Sequence, residues 1–374
     1  MKKKITVLGA GMVGRAMALD LSDDYEVTSC DISDNSLALL KGTRVKTMKA
    51  DLGTAAGINE AIADAGLVIG AVPGFMGFEM VKTVLKAGKN IVDISFFNEN
   101  IFLLDNLAKD MGVTAVMDCG VAPGMGNILL GYHNKRMKVN SFECLVGGLP
   151  TKREWPFEYK APFSPIDVIA EYTRPARFVK DGKEVIRPAL SDPEILEFDE
   201  VGKLEAFNTD GLRSLIHTMK VPDMIERTLR YPGHIGLMQV FRETGLFSEE
   251  PVDVNGRQVR PVDLTSKLLF PKWKLQPGEE EFTIMRVTIK GEENGTKKEY
   301  VYNLLDRYDA STKTSSMSRS TGYTCTAVAR LVIEGQYTRK GISPPEYVGE
   351  EKECFDFVLK YLADRNVKYR LTQK

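Results

Sequence analysis

Short apolar-rich runs, each closed by Gly, Asp or Pro and followed by an amphipathic segment, alternate along the chain through residue 118. Such runs are typical of strands buried on both faces, and the segments between them have the period of surface helices. The predicted strands are Ile5–Leu8, Glu26–Cys30, Val45–Lys49, Leu67–Ala71, Asn90–Ile94 and Thr114–Met117. The predicted helices are Met12–Leu21, Ser36–Lys41, Ala55–Ala63, Phe75–Lys86 and Glu99–Asp110. Strands covered by helices on both faces form a parallel sheet, so this pattern predicts an α/β, doubly wound Rossmann domain.

The pattern changes after residue 140, where strand-like runs and turn signals replace the alternation of strands and helices. Phe282–Ile289 and Tyr300–Leu305 flank the turn-forming pair Asn294-Gly295, which predicts a long β-hairpin. Together with the strand-like run Ser141–Val146, the hairpin predicts a second, α+β domain with a mostly antiparallel sheet.

The two patterns divide the chain into two domains. We expect residues 1–125 to form the first domain and residues 126–319 to form the second. Two further helices are predicted at Tyr323–Glu334 and Cys354–Ala363. We place residues 320–374 back on the first domain, which they would complete.

The first predicted strand is followed directly by the sequence GAGMVG, which opens the first predicted helix. In this context a G-x-G-x-x-G pattern predicts a dinucleotide site. Gly9 permits the tight turn, Gly11 lets a pyrophosphate approach the backbone, and Gly14 lets the helix pack on the strand. The helix N-terminus at Met12 and Val13 supplies amides and a favourable dipole for the phosphates.

Asp31 ends the second predicted strand, 20 residues after Gly11. An acid at this position accepts hydrogen bonds from the ribose hydroxyls of the adenosine half and would repel a 2′-phosphate. Because no Arg or Lys occurs in Ile32–Asn35, NAD is the expected cofactor rather than NADP.

Further residues follow the carboxyl ends of the predicted strands, which is where ligands of open α/β sheets bind. We expect the cofactor also to contact Asp51, Leu52, Ala71, Val72, Pro73, Ser95, Gly120, Val121 and Pro123. Several of these residues are small, so a nicotinamide or a substrate could approach the backbone closely.

The charge balance limits the classes of partner that the protein could bind. The 50 Lys and Arg side chains against 51 Asp and Glu leave a net charge of -1, so no global field recruits nucleic acid or an anionic membrane. No apolar run reaches the roughly 18 residues of a transmembrane helix. The five cysteines never form a C-x-x-C pair, which argues against a disulfide framework or a zinc site. We therefore expect a cytoplasmic protein without a metal that acts on a small molecule.

Several blocks of sequence carry more information than the glycine loop alone. They are Val7–Gly11, Asp118–Met125, Gly147–Pro150, Glu205–Thr209, Leu229–His234 and Ser318–Thr324. Over almost its full length the chain resembles the saccharopine dehydrogenase superfamily, and most closely its NAD-dependent lysine 6-dehydrogenases. Cys119 and Pro232 depart from the pattern of those relatives, which leaves the exact substrate open.

The resemblance implies a Rossmann domain completed by C-terminal helices, a central domain that closes over an amino acid substrate, and a homodimer. It also implies oxidation at an amine-bearing carbon, with lysine converted at its ε-carbon to 2-aminoadipate 6-semialdehyde and ammonia. The aldehyde then cyclises to piperideine-6-carboxylate. Two alternatives stay open: reductive condensation of the saccharopine or carboxynorspermidine type with NAD(P)H, and an NAD-binding sensor that has no catalytic activity.

Oxidation of an amine requires a titratable group near the reacting carbon, because the amine must be neutral before it loses a hydride. Our candidates for this group are Asp118, His234 and Asp93. Asp118 has an equally plausible role as the cap of the following helix. An arginine fork would bind the α-carboxylate, and Arg213, Arg230 and Arg319 lie in or near the blocks. We expect the substrate to contact Tyr159, Asn208, Thr209, Arg213, Tyr231 and Arg319.

Overall fold

Alternating strands and helices build the first domain. In the computed structural model, which describes residues 2–374, the strands of this domain are β1 Lys4–Leu8, β2 Glu26–Asp31, β3 Lys46–Lys49, β4 Leu67–Gly70, β5 Ile91–Asp93 and β6 Thr114–Val116. Its helices are α1 Met12–Leu21, α2 Asp34–Ala38, α3 Ala55–Ile62, α4 Gly74–Lys86 and α5 Asp105–Asp110, with a 3-10 turn at Ile101–Leu104. Each predicted strand is present, with small differences at its ends. Among the helices, the predicted Glu99–Asp110 is divided into the 3-10 turn and α5, and the predicted Ser36–Lys41 lies earlier, at α2.

The first sheet has seven strands, and all its neighbouring strands are parallel. The order from one edge is β3-β2-β1-β4-β5-β6, and a strand from the C-terminal segment, β17 (Gly341–Ser343), extends it beyond β6. The predicted doubly wound fold is therefore confirmed. Because the strand order reverses between β1 and β4, a crevice opens at the carboxyl ends of these strands.

The second domain is built around a mixed sheet of nine strands. Its elements before the hairpin are α6 Met125–Asn134, β7 Lys138–Pro150, α7 Pro165–Thr173, β8 Ala176–Lys180, β9 Lys183–Arg187, β10 Glu194–Phe198, β11 Gly202–Asn208, α8 Leu215–Thr218, β12 Asp223–Arg230, α9 His234–Glu243, β13 Val252–Val254, β14 Arg257–Val259 and α10 Pro261–Trp273. The predicted hairpin consists of β15 Glu281–Glu293 and β16 Thr296–Arg307. Strands β7 and β12 pair in parallel, whereas the other neighbouring pairs of this sheet are antiparallel. The expected α+β domain is thus also confirmed.

The C-terminal segment contributes to both sheets. It contains α11 Ser316–Ile333, α12 Pro345–Glu350, α13 Lys352–Asp364 and β18 Arg370–Gln373. Helix α11 packs against α1, and β17 joins the parallel sheet. The final strand β18 instead pairs with β16, so the chain ends on the second sheet and not on the first.

One of the buried apolar clusters contains side chains of both domains. Met17 of α1, Val328 of α11 and Met285 of β15 are fully buried members of this cluster. The core therefore fixes the two sheets on either side of a common interface. Between residues 2 and 374, no helix combines the length and the apolar character needed to cross a membrane. The cytoplasmic location and the homodimer stay predictions.

Candidate functional site

A cleft of about 1890 Å³ runs between the two domains along the carboxyl ends of the parallel strands. Every residue predicted to contact the cofactor lines this cleft: Gly9, Gly11, Met12, Val13, Gly14, Asp31, Asp51, Leu52, Ala71, Val72, Pro73, Ser95, Gly120, Val121 and Pro123. The turns after separate strands are therefore brought to one continuous surface.

The glycine loop has the close approaches that a dinucleotide site requires. Gly9 has φ +114, and a Cβ on it would fall 2.4 Å from the carbonyl oxygen of Ala71. A Cβ on Gly14 would fall 2.0 Å from the carbonyl oxygen of Gly9, so α1 packs directly on the loop. At Gly11, by contrast, no atom within the described chain, residues 2–374, lies within 4 Å of such a Cβ. The open space before the N-terminus of α1 fits an approaching diphosphate.

Asp31 is held at the edge of the same loop by two backbone amides. Its Oδ2 accepts a hydrogen bond from the Ala10 amide at 2.8 Å, and its Oδ1 accepts one from the Ser33 amide at 2.8 Å. Each carboxylate oxygen has a second lone pair available. The side chain is thus fixed at the cleft surface with capacity left for ribose hydroxyls.

Asp118 and Arg213 form a buried ion pair at the floor of the cleft. Arg213 Nε and Nη2 each donate to one oxygen of Asp118 at 3.1 Å, and Nη1 donates to the carbonyl of Phe97 at 2.6 Å. The two side chains are 2% and 4% exposed, respectively. Asp118 follows the parallel sheet and Arg213 belongs to the second domain, so the pair joins the domains. Since its guanidinium is already occupied, Arg213 orients Asp118 and is not placed to grip a substrate carboxylate.

Asp93, one of the predicted catalytic groups, does not reach the cleft. It is fully buried behind Ser95. Its carboxylate accepts a hydrogen bond from the Ser95 amide at 3.0 Å and another from the Ser95 hydroxyl at 2.9 Å. Burial raises the pKa of Asp93 well above its ordinary value. Its place in the structure suits it to orient the Ser95 turn.

His234 also lies away from the cleft, at the first position of α9. Its Nδ1 lies 2.8 Å from the carbonyl oxygen of Phe157, and its Nε2 lies 2.9 Å from the hydroxyl of Tyr172. Burial lowers the pKa of His234 to about 3, so the ring is neutral at physiological pH, with Nδ1 donating and Nε2 accepting. His234 therefore orients Tyr172, which in turn accepts a hydrogen bond from Nε of Arg230 at 3.0 Å.

Of the predicted substrate contacts, Thr209 lines the cleft. The structure places the others behind its walls: Tyr159, Asn208, Arg213, Tyr231 and Arg319. Each has a partner there, because Arg319 pairs with Asp306 and Asp309, the Tyr231 hydroxyl donates to Pro150, and the Asn208 amide donates to Asp192. The Tyr159 hydroxyl accepts a hydrogen bond from Nη2 of Arg230 at 3.4 Å. These side chains hold the second domain together around the site.

Arg174 is a cleft residue that sequence reasoning missed. It follows α7, and its guanidinium carbon stands 4.4 Å from the centre of the Phe96 ring. Its Nε and Nη1 are buried, and neither has a hydrogen-bond partner among residues 2–374. Burial lowers the pKa of Arg174 to about 10, so it is a cation at neutral pH. Arg174 lines the cleft and forms no ion pair with a carboxylate of residues 2–374, so it suits an anionic ligand group such as a carboxylate.

The same cleft has an acidic wall. Glu171, Asp210 and Glu226 all line it. Glu171 pairs with Arg230 at 2.8 Å, and Asp210 pairs with Arg177 at 2.8 Å. Neither their spacing nor a local motif marks these residues in the sequence. The cleft thus contains both carboxyls and the Arg174 cation, a combination that suits a ligand with both an amine and a carboxylate.

Both domains of the chain are similar to known proteins. Family models described as the saccharopine dehydrogenase NADP binding domain and the saccharopine dehydrogenase C-terminal domain match residues 5–116 and 120–367. An NADP(+)-linked, L-glutamate-forming saccharopine dehydrogenase from Pyricularia oryzae is 26% identical over 264 residues, covering 66% of this chain and 59% of that protein. The chain thus spans less than two thirds of that relative.

Two further similarities concern the whole chain. A carboxyaminopropylagmatine dehydrogenase from Synechocystis is 20% identical over 368 residues and covers 91% of each protein. The apo structure of L-Glu-forming saccharopine dehydrogenase from Saccharomyces cerevisiae has a TM-score of 0.79 at 19% identity and covers 100% of both chains. The latter match concerns the fold alone.

Proposed function

This chain belongs to the saccharopine dehydrogenase family, as the sequence blocks predicted, and on that premise we propose that it oxidises an amine-bearing carbon of an amino acid. The proposed reaction is the oxidative deamination of L-lysine at its ε-carbon. When bound, oxidised NAD accepts a hydride, so that the lysine ammonium, NAD and water give 2-aminoadipate 6-semialdehyde, ammonium, NADH and one proton.

One observation carries this proposal: the glycine loop, the acidic wall and Arg174 face a single cleft. The loop and the turns after the parallel strands would hold the cofactor. Arg174, which lines the cleft and forms no ion pair within residues 2–374, would bind the α-carboxylate. The carboxyls of the acidic wall would receive the amine, which favours an amino acid with a second amine over a neutral substrate.

We further propose that the cofactor is NAD. The family model for the first domain is described as NADP binding, yet the position that would face the 2′-hydroxyl carries Asp31. Its carboxylate is fixed by the Ala10 and Ser33 amides, so it cannot swing away from a 2′-phosphate without losing two hydrogen bonds. Repulsion between the two anions would then favour NAD.

The proposed function is tested by mixing the protein with L-lysine and either NAD or NADP at alkaline pH and following the absorbance of reduced nicotinamide. We expect lysine-dependent reduction, with NAD preferred to NADP. Consumption of NADPH or NADH that needs both an aldehyde and an amine would instead support reductive condensation, which the names of both curated relatives favour. NAD binding without turnover of any amine would support the sensor.

Replacing Arg174 tests the proposed carboxylate site. We expect Arg174→Met to raise the KM for lysine about 10- to 100-fold, from the ~1.5–3 kcal/mol typical of hydrogen bonds to charged groups. Cadaverine, which is lysine without its carboxylate, should lose little of its kcat/KM in this variant. Steady-state kinetics with both amines and calorimetry with NAD provide the measurements.

The matched control is Arg257→Met, because Arg257 is exposed in the β13–β14 hairpin, outside the cleft. It should leave the kinetics with both amines unchanged. An equal loss with lysine and cadaverine in Arg174→Met would argue against a carboxylate anchor.

A further inference from the structure

We propose that Glu226 is the catalytic residue that binds the substrate ammonium group and accepts its proton, and that it thereby selects substrates with a distal amine. The inference deepens the proposed function and rests on it for the identity of the reacting amine. It assigns the proton step to a side chain of β12, on the second domain, and not to the strand-end aspartates of the Rossmann domain.

Glu226 is the carboxyl of the acidic wall that forms no ion pair with an arginine. Its neighbours Asp118, Asp210 and Glu171 pair with Arg213, Arg177 and Arg230, respectively. Across residues 2–374 no hydrogen bond or ion pair engages the Glu226 carboxyl, although the residue is only 5% exposed. A mostly buried carboxyl that no protein group engages can be solvated only from the cleft that it lines. Its missing partner is therefore a cation or a hydrogen-bond donor that enters from the cleft.

Gly211 fixes the position of this carboxyl. A Cβ on Gly211 would fall 1.7 Å from Oε1 of Glu226 and 2.1 Å from its Cδ. The carboxyl thus rests against the bare backbone of the Thr209–Gly211 turn, and residues 209–211 line the cleft with it. A larger residue at 211 would displace Glu226 without removing its charge.

The proton step needs no further reactant. One N–H bond of the substrate ammonium breaks, an O–H bond forms on a Glu226 oxygen, and the electron pair of the broken bond stays on nitrogen. The neutral amine that results has the lone pair needed to support loss of hydride from the adjacent carbon. Asp118 is less suited to this step, because both of its oxygens already accept hydrogen bonds from Arg213.

The charges around Glu226 agree with this role. Burial is the largest cause that raises its pKa, the nearby Glu171, Asp210 and Asp118 carboxyls add to it and Arg213 opposes it, and the resulting pKa is about 8. The free enzyme therefore holds Glu226 neutral below about pH 8 and as a carboxylate above it. An entering ammonium favours the carboxylate, so amine binding below pH 8 should expel a proton to solvent.

The first test compares lysine with norleucine, which has the same length but no ε-amine, by titration calorimetry in buffers of different ionisation enthalpy. At pH 7 we expect the wild-type protein to bind lysine more tightly than norleucine, with release of about one proton. Glu226→Gln should lose about tenfold in lysine affinity and all of the proton release, while norleucine binding stays unchanged. Equal binding of lysine and norleucine by the wild type, or an equal loss of both in the variant, would overturn the proposal.

The second test uses turnover. For the wild type, kcat/KM with lysine should rise with pH up to about 8, and Glu226→Gln should lose this rise together with about 100-fold or more of kcat/KM. Gly211→Ala, which retains the carboxyl but displaces it, should lower kcat/KM without changing the unfolding temperature. Asp223→Asn makes the same chemical change as Glu226→Gln at the exposed start of β12 and should change neither property.

The two proposals fail in different ways. If the wild type does not oxidise lysine but Glu226 still governs amine binding and proton release, the proposed function fails and the ammonium site stands. If lysine is oxidised and Glu226→Gln keeps the wild-type rate and pH profile, the function stands and the assignment to Glu226 is wrong.

Discussion

Gly11→Val is expected to abolish NAD binding and leave the fold intact. A Cβ at this position has no protein atom of residues 2–374 within 4 Å, apart from its own chain neighbours and helix backbone. It would instead fill the volume in front of the α1 N-terminus that a diphosphate needs. We expect a loss of at least ~100-fold in NAD affinity, about 2.8 kcal/mol, measured by titration calorimetry.

The matched control for this variant is Gly236→Val. A Cβ on Gly236 would also lie in open space, but Gly236 is on the exposed face of α9, outside the cleft. The control should bind NAD as the wild type does, and both variants should keep the wild-type unfolding temperature. Gly11→Val that binds NAD within a few-fold of the wild type would contradict the cofactor site, and every functional proposal that depends on it.

The first domain was predictable because local pattern and topology agree there. A parallel sheet buried on both faces needs short apolar runs, and right-handed crossovers then bring the carboxyl ends of its strands to one crevice. Residues as far apart in sequence as Asp31 and Pro123 could therefore be assigned to one surface without any knowledge of their contacts. All the predicted cofactor residues line the cleft for this reason.

The substrate side was not predictable in the same way. Arg174 follows α7 and Glu226 lies on β12, and their approach to the cleft depends on how the second sheet packs against the first. No rule of strand order places them. What marks both residues is the absence of a partner, which is a property of the folded chain and cannot be read from a sequence.

Residues within the resemblance blocks were misleading for a related reason. Arg319 and Tyr231 lie in two of the blocks, yet both side chains are bound within the second domain, to Asp306 and to Pro150. A shared block reports a shared structural requirement as readily as a shared chemical one. The start of α11 was also misjudged, because the helix was predicted from Tyr323 but begins at Ser316. Its first turn is polar, as in a loop, yet it is buried and capped by Ser315.

Asp118→Asn is expected to lower the free energy of unfolding by about 3–5 kcal/mol, the usual cost of removing one partner from a buried ion pair. The change would leave the Arg213 guanidinium, whose side chain is 4% exposed, without a counter-charge at the junction of the two domains. Asp118 has φ 55, and Asn tolerates this left-handed conformation as well as Asp does. The variant therefore isolates the loss of charge, and urea unfolding measures its cost.

The double variant Asp118→Asn with Arg213→Met separates structure from chemistry. Removing both charges should restore part of the lost stability, because no uncompensated charge stays buried. If Asp118 served only to join the domains, turnover would recover in parallel with stability. We expect NAD affinity to be spared in both variants. Turnover should stay low in the double variant, because the Asp118 carboxylate lines the cleft near Glu226 and neither variant retains it. A loss below about 1 kcal/mol in Asp118→Asn would instead show that the pair is worth no more than one at the surface.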